Sequence, residues 1–383
     1  MKSARTTQAV AATLVSLATS MTAASATFVY VSNAEDGDIS AYRMNPATGE
    51  LQPAARTAAG KIVMPMALSP DRRFLFAAVR AKPFTVVTYA IDSGTGALKQ
   101  VSSSPLAESF PYISLDRTGR YLFGASYGAH LVSVNAVSAD GRVSPEPLQV
   151  IPIGRNAHSI RVDATNRFVY VPSLGSDQIF QFVFDEKSGR LASNTPAVIL
   201  QKSMTGPRHF AISRDNKYLF SLSELLGTVT TYSLDNKTGL LSEVSSASGV
   251  PPGANLIPGA PRGPVGGPDA PPPRSLDKDI WAADIHVTPN GRFLYMSERT
   301  SSTLGAFSVD EQSGKLTYLG STPTERQPRG FAIDPSGKYL VATGEKSETI
   351  SAYAIDPAYG ALRPIGKYPA GKGANWVEIV SFD

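Results

Sequence analysis

The sequence predicts an all-β fold, a seven-bladed β-propeller closed by its own two ends. Three observations carry that prediction. An aromatic residue recurs about every 47 residues, a glycine follows each aromatic at a near-constant distance, and the C-terminal string supplies the one piece that the first repeat lacks.

The recurring aromatics are Phe28, Phe74, Tyr121, Phe168, Tyr218, Phe293 and Tyr339, at spacings of 46, 47, 47, 50, 75 and 46 residues. Each opens a run such as FLFAAV or FVYV, apolar almost without alternation, as expected of a strand covered on both faces. Some 20 to 22 residues further on lie Gly49, Gly96, Gly141, Gly189, Gly239, Gly314 and Gly360, in turn strings such as NPATGEL and DEQSGKL. A turn position with positive φ suits glycine, which has no Cβ to clash. Ahead of six of the aromatics stands a second turn: SPDRR, DRTGR, DATNR, SRDNK, TPNGR or DPSGK. Each unit is therefore four strands joined by turns, and four-stranded sheets packed on like neighbours are propeller blades.

The missing seventh turn marks the break in the ring. The chain ends GANWVEIVSFD, which matches the head of a unit such as GPRHFAIS, whereas the first unit begins at its second strand. The C-terminal strand is thus expected innermost in the first blade, where it leaves no free sheet edge.

Residues 1–26 read differently. Lys2 and Arg5 precede an uncharged run from Ala9 to Ala24, and Ala24, Ser25 and Ala26 offer small residues for cleavage before Thr27. That is the pattern of a secretory signal peptide. The mature propeller would then be 27–383, a periplasmic or secreted monomer with no membrane attachment after cleavage. The long spacing holds a Pro/Gly-rich insertion at 249–278, which reads as a loop, either unstructured or laid over the central mouth.

Lys2 and Arg5 leave with the leader, so the 36 Lys+Arg of the chain fall to 34 against 32 Asp+Glu. The basic residues are scattered, with no stripe or run to mark a nucleic-acid partner. Cysteine is absent, which rules out disulfides, thiolate metal sites and a cysteine nucleophile. His130, His158, His209 and His286 show no metal-ligand spacing, EDGDIS is too short for a calcium loop, and no glycine-rich phosphate motif occurs. No metal or cofactor is expected. The string GASYG at 124–128 fits a nucleophile-elbow pattern, but no helix follows it, so Ser126 lacks the context of such a nucleophile.

In a four-stranded blade the start of the innermost strand and the end of the second strand lie on the same rim of the ring. Ten residues before each aromatic stand Met64, Pro111, His158, Arg208, Ala283, Arg329 and, by matching the chain ends, Asn375. Six residues after each stand Ala34, Arg80, Tyr127, Leu174, Glu224, Arg299 and Glu345. Positions that serve structure alone converge on one residue type, as the glycines do. These diverge, and many are ionisable, which is what a site around a central mouth requires. His158, Arg208, Glu224 and Arg299 are the candidate catalytic group; Arg80, Tyr127, His209, Arg329 and Asn375 are candidate substrate contacts. A structural ion pair between Glu224 and Arg208 is the plain alternative.

The strings WAADIHVTPNGRFLYMSERT, PTERQPRGFAIDPSGKYL and GPRHFAIS closely resemble the bacterial 6-phosphogluconolactonases of the seven-bladed propeller type. That family is related to the fungal carboxy-cis,cis-muconate lactonizing enzymes, and the similarity covers nearly the whole mature chain. The resemblance implies a metal-independent lactonase with a His, two Arg and a Glu at its site. They fall on His158 in GRNAHSI, Arg208 in GPRHF, Glu224 in SLSEL and Arg299 in SERTSS. The implied reaction is hydrolysis of a sugar lactone. Either Glu224 or His158 is the base and the other the acid, and the arginines hold an anionic group or the oxyanion. The export leader and the long Pro-rich loop depart from the family's pattern. The alternative is a non-catalytic exported propeller that binds a partner or envelope component, since strings such as VYVSN also occur in surface-layer-type repeats.

Overall fold

The computed structural model describes residues 26–262 and 275–382. The expected leader, apart from Ala26, and the middle of the insertion lie outside the described residues. The described chain forms seven four-stranded antiparallel sheets, six of them built from consecutive strands. The remaining sheet is composite. The C-terminal strand Ala374–Phe382 pairs antiparallel with Ala26–Asn33, from Ala26 opposite Phe382 to Asn33 opposite Ala374. Closure is therefore the one expected from the two chain ends. Blades are numbered here from 1, the composite one, to 7 in chain order.

Every second strand is buried along nearly its whole length, because successive side chains enter different interfaces. Phe28 and Tyr30 pack with blade 2, whereas Val29 and Val31 pack with blade 7. The same division recurs around the ring, so the core is seven clusters, one between each pair of neighbouring blades. Outermost strands such as Leu51–Ala58 and Leu241–Ser248 are largely exposed.

The two repeated sequence features turn out to touch each other. Each turn glycine lies against the aromatic of the preceding blade: Gly96 on Phe28, Gly141 on Phe74, and so on to Gly49 on Tyr339. A Cβ at any of the seven would come within 2.8 Å or less of that ring. The glycine thus answers two demands, its positive φ and the absence of space above it.

The described part of the insertion is anchored. Gly259 N donates to Leu225 O (2.8 Å) and Ile257 N to Lys278 O (2.8 Å). The Tyr127 hydroxyl in blade 3 donates to Arg262 O (2.9 Å), so this strap crosses the rim from blades 5 and 6 toward blade 3. Among the described residues no helix is long and apolar enough to cross a membrane.

Candidate functional site

The rim positions of blades 4, 5 and 6 meet at one end of the central channel. In blade 5, Arg208 is the second residue of the innermost strand Pro207–Ile212, and Glu224 follows the second strand Tyr218–Ser223. Arg208 Nε donates to Glu224 Oε2 (2.7 Å), and its Nη1 donates to Ala283 O in blade 6. Arg299 reaches the same carboxylate from blade 6, Nη2 to Oε2 at 2.9 Å. Its Nε donates to Trp281 O (3.0 Å), and the guanidinium stacks 3.7 Å from the Trp281 ring. Arg262 of the strap lies 3.6 Å from that ring. Glu298 fixes this turn, accepting from Trp281 N (2.7 Å) and the Ser301 hydroxyl (2.6 Å). The ion pair weighed as an alternative is therefore present, and it is a triad rather than a pair.

His158 comes from an irregular stretch, because the innermost strand of blade 4 is only Arg161–Val162. Its backbone N donates to Pro172 O (3.0 Å). The neighbouring Ser159 hydroxyl donates to Arg208 O (2.8 Å), which draws His158 alongside blade 5. The imidazole packs edge-on against Tyr127 (5.6 Å between centroids) and His209 (5.2 Å). Its Nδ1 is buried with no partner among the described residues. Burial, then the Arg208 and Arg329 charges, hold its pKa well below the ordinary imidazole value, so it is neutral at physiological pH.

The four candidate catalytic side chains are recessed, none more than 5% exposed. Arg329 joins them from blade 7 with Glu345 3.5 Å away, and Arg80 from blade 2 with Nε on the Ser109 hydroxyl (2.9 Å). Burial lowers Arg208 and Arg80 to about 10 and Arg299 to about 9, all still charged at neutral pH. The aligned rim positions thus carry four guanidiniums, Arg80, Arg208, Arg299 and Arg329, against two carboxylates, Glu224 and Glu345. Asn375 is differently engaged. Its amide accepts from the Ser32 hydroxyl (3.1 Å) and donates to Gly373 O (2.8 Å), within the composite blade.

His209 lies one residue deeper than Arg208 and faces the channel. It meets Tyr112 (4.9 Å) and Trp376 (6.0 Å), which also touch each other (5.4 Å). These rings come from blades 5, 3 and 1, which are not neighbours, so they meet across the axis beneath His158. Beyond them lies a cavity of about 330 Å³ whose lining includes Arg161, Asp284, His286 and Glu378. Of this inner layer the sequence pointed only to His209, as a candidate substrate contact. The same repeat alignment, shifted one and three residues into the innermost strands, gives Tyr112, His209, Asp284 and Trp376, then Arg161, His286 and Glu378. Among the described residues no three or more His, Asp or Glu side chains are arranged so that they could hold a metal ion.

The model of the seven-bladed β-propeller lactonases matches residues 21–379. The chain belongs to that family. Among curated proteins this lactonase-family propeller is 38% identical over 211 residues to the 6-phosphogluconolactonase of Serratia proteamaculans, covering 55% of this chain and 57% of that one. It spans about half the length of the curated relatives it matches. Among solved structures, the periplasmic gluconolactonase of Pseudomonas aeruginosa superposes with a TM-score of 0.80 at 25% identity, covering 93% of this chain and 99% of that one. A Lactobacillus plantarum protein shares the fold at 20% identity and a TM-score of 0.78, over 93% and 99% of the two chains.

Proposed function

We propose that this lactonase-family propeller hydrolyses an anionic sugar lactone at the rim of blades 4 to 6, in the periplasm or outside the cell. The observation that carries this is the Glu224 carboxylate held by Arg208 and Arg299 at the same mouth as a neutral, buried His158. Hydrolysis needs a base for the attacking water, donors for the oxyanion and a proton for the departing ring oxygen. His158, neutral at physiological pH, takes the proton from water as the oxygen attacks the carbonyl carbon. The ring C–O bond then breaks, and the imidazolium returns its proton to the alkoxide. Both hydrogen bonds to Glu224 fall on Oε2, so this group orients the guanidiniums, whose remaining N–H groups face the oxyanion.

Recessed side chains favour a small molecule over the alternative of a protein partner, which would need them at the surface. The positive excess from Arg80, Arg208, Arg299 and Arg329 favours a carboxylated or phosphorylated lactone, in keeping with the Serratia relative. Export is supported by the leader pattern and by the periplasmic relative from Pseudomonas. The test is a hydrolysis panel on mature protein. The expected result is a higher kcat/KM for 6-phosphogluconolactone or a uronic-acid lactone than for gluconolactone. Equal or better turnover of the neutral lactone would overturn the anionic assignment, and no hydrolysis of any lactone would overturn the function.

A further inference from the structure

Beneath the rim, Asp284 of blade 6 is a carboxylate with four donors. His209 Nδ1 (2.8 Å) and Ile285 N (3.0 Å) meet Oδ1, while His286 Nε2 (3.1 Å) and Phe331 N (3.3 Å) meet Oδ2. Despite burial, the two histidines keep it well below the usual carboxylate range. An ionised carboxylate only accepts hydrogen bonds. His209 must therefore carry its proton on Nδ1, and its Nε2 is a bare lone pair, buried with no partner among the described residues. The His209 ring is wedged between Tyr112, Trp376 and His158, which prevents it from turning over.

We propose that Asp284 is a positioning residue for His158, acting through His209: it fixes the tautomer of the ring packed on His158 and sets a permanent negative charge behind it. The proposal rests on the reading of His158 as the proton acceptor. When His158 takes a proton it becomes a cation close to Arg208 and Arg329. Glu224 is already matched by two guanidiniums, whereas the partners of Asp284 are imidazoles and backbone N–H groups. Asp284 is thus the carboxylate placed to offset the new charge. Other charged groups facing this layer are His286, Arg161 and Glu378, across the lower cavity, with the Tyr112 hydroxyl between.

The sign of the effect is fixed. Removing a negative charge near His158 destabilises its imidazolium and lowers its pKa. In Asp284→Asn the limb of the kcat/KM profile belonging to His158 moves to lower pH, and kcat falls ~10- to 100-fold, as for loss of an outer partner of a working histidine. Asp284→Glu, which keeps the charge at a shifted place, loses rate but keeps the limb within about 0.3 pH units. In histidine-¹⁵N-labelled native protein, His209 shows a protonated Nδ1 and a pyridine-type Nε2 from pH 8 to about 5, a readout that needs no variant to fold. An Nε2–H tautomer at His209, or an unmoved limb in Asp284→Asn, would overturn the proposal. Full activity in His158→Ala would instead overturn the assignment of His158, and the tautomer would still be read.

Discussion

Gly360 offers a measurement of what joins the blades. It lies in the outer turn of blade 7 at φ +69°, and an alanine Cβ there would fall 2.5 Å from Phe293 Cδ1, 2.8 Å from Cε1 and 2.9 Å from Cγ. Phe293 has little freedom to yield, being buried in the interface of blades 6 and 7 with Arg292 stacked 5.3 Å from its ring centroid. Gly291 is the matched control: φ is +77° and nothing lies within 4 Å of its added Cβ. Gly291→Ala should cost only the left-handed backbone term, ~1–2 kcal/mol. Gly360→Ala adds overpacking of ~1–3 kcal/mol, for roughly 2–5 kcal/mol in all. Shrinking the ring in the double variant Gly360→Ala/Phe293→Leu should recover ~1–2 kcal/mol relative to the sum of the single changes. Urea unfolding followed by tryptophan fluorescence reads these differences. Equal losses at Gly360 and Gly291, or strict additivity in the double variant, would show that the glycines answer to backbone conformation alone.

Other outcomes follow from the same structure. Deleting 374–382 removes the innermost strand of blade 1, with Ala374, Val377, Ile379 and Val380 buried on it, and should cost far more than the ~1 kcal/mol of an ordinary substitution; an unchanged melting temperature would refute closure through this strand. Arg329→Ala should raise KM for an anionic lactone while leaving that for gluconolactone within about twofold, and a parallel rise in both would remove Arg329 from anion recognition. Stability should depend on pH in two stages. His209, lowered to about 3 chiefly by burial, and His158, lowered in the same way, contribute stability that is full above their unfolded value near 6.5 and is lost as pH falls. Glu378, raised to about 7 by burial from an ordinary 4.5, contributes in the opposite sense and cancels one histidine between 4.5 and 6.5. Stability should therefore fall as pH drops below 6.5, and more steeply below 4.5; urea midpoints that stay flat from pH 6.5 to 4 would contradict the buried neutral histidines.

The seven aromatics and seven glycines were legible because each answers a local demand repeated at one spacing. Their contact with one another was not, since it joins different blades and depends on how neighbouring blades are set side by side. The rim showed itself through residues that broke the repeat. His158, Arg208, Glu224 and Arg299 could be placed there without any contact being known, but that both arginines would share one oxygen of Glu224 depends on how blades 5 and 6 are set side by side. Asn375 satisfied the same positional rule, yet its amide is bound to Ser32 and Gly373 inside the blade that closes the ring. Asp284 and His286 lay unread in the string WAADIH. Their meaning depends on the alternation of the innermost strand, which turns every second residue into the channel.

The central claim is that His158 and the Glu224 triad hydrolyse a lactone. Its most direct test is the steady-state rate of 6-phosphogluconolactone opening by mature protein and by His158→Ala and Glu224→Gln, with circular dichroism confirming the fold of each. Both variants should lose ~10²–10⁴-fold in kcat, as for loss of a group that moves a proton or holds the oxyanion donors. Near-normal kcat in both would contradict the account.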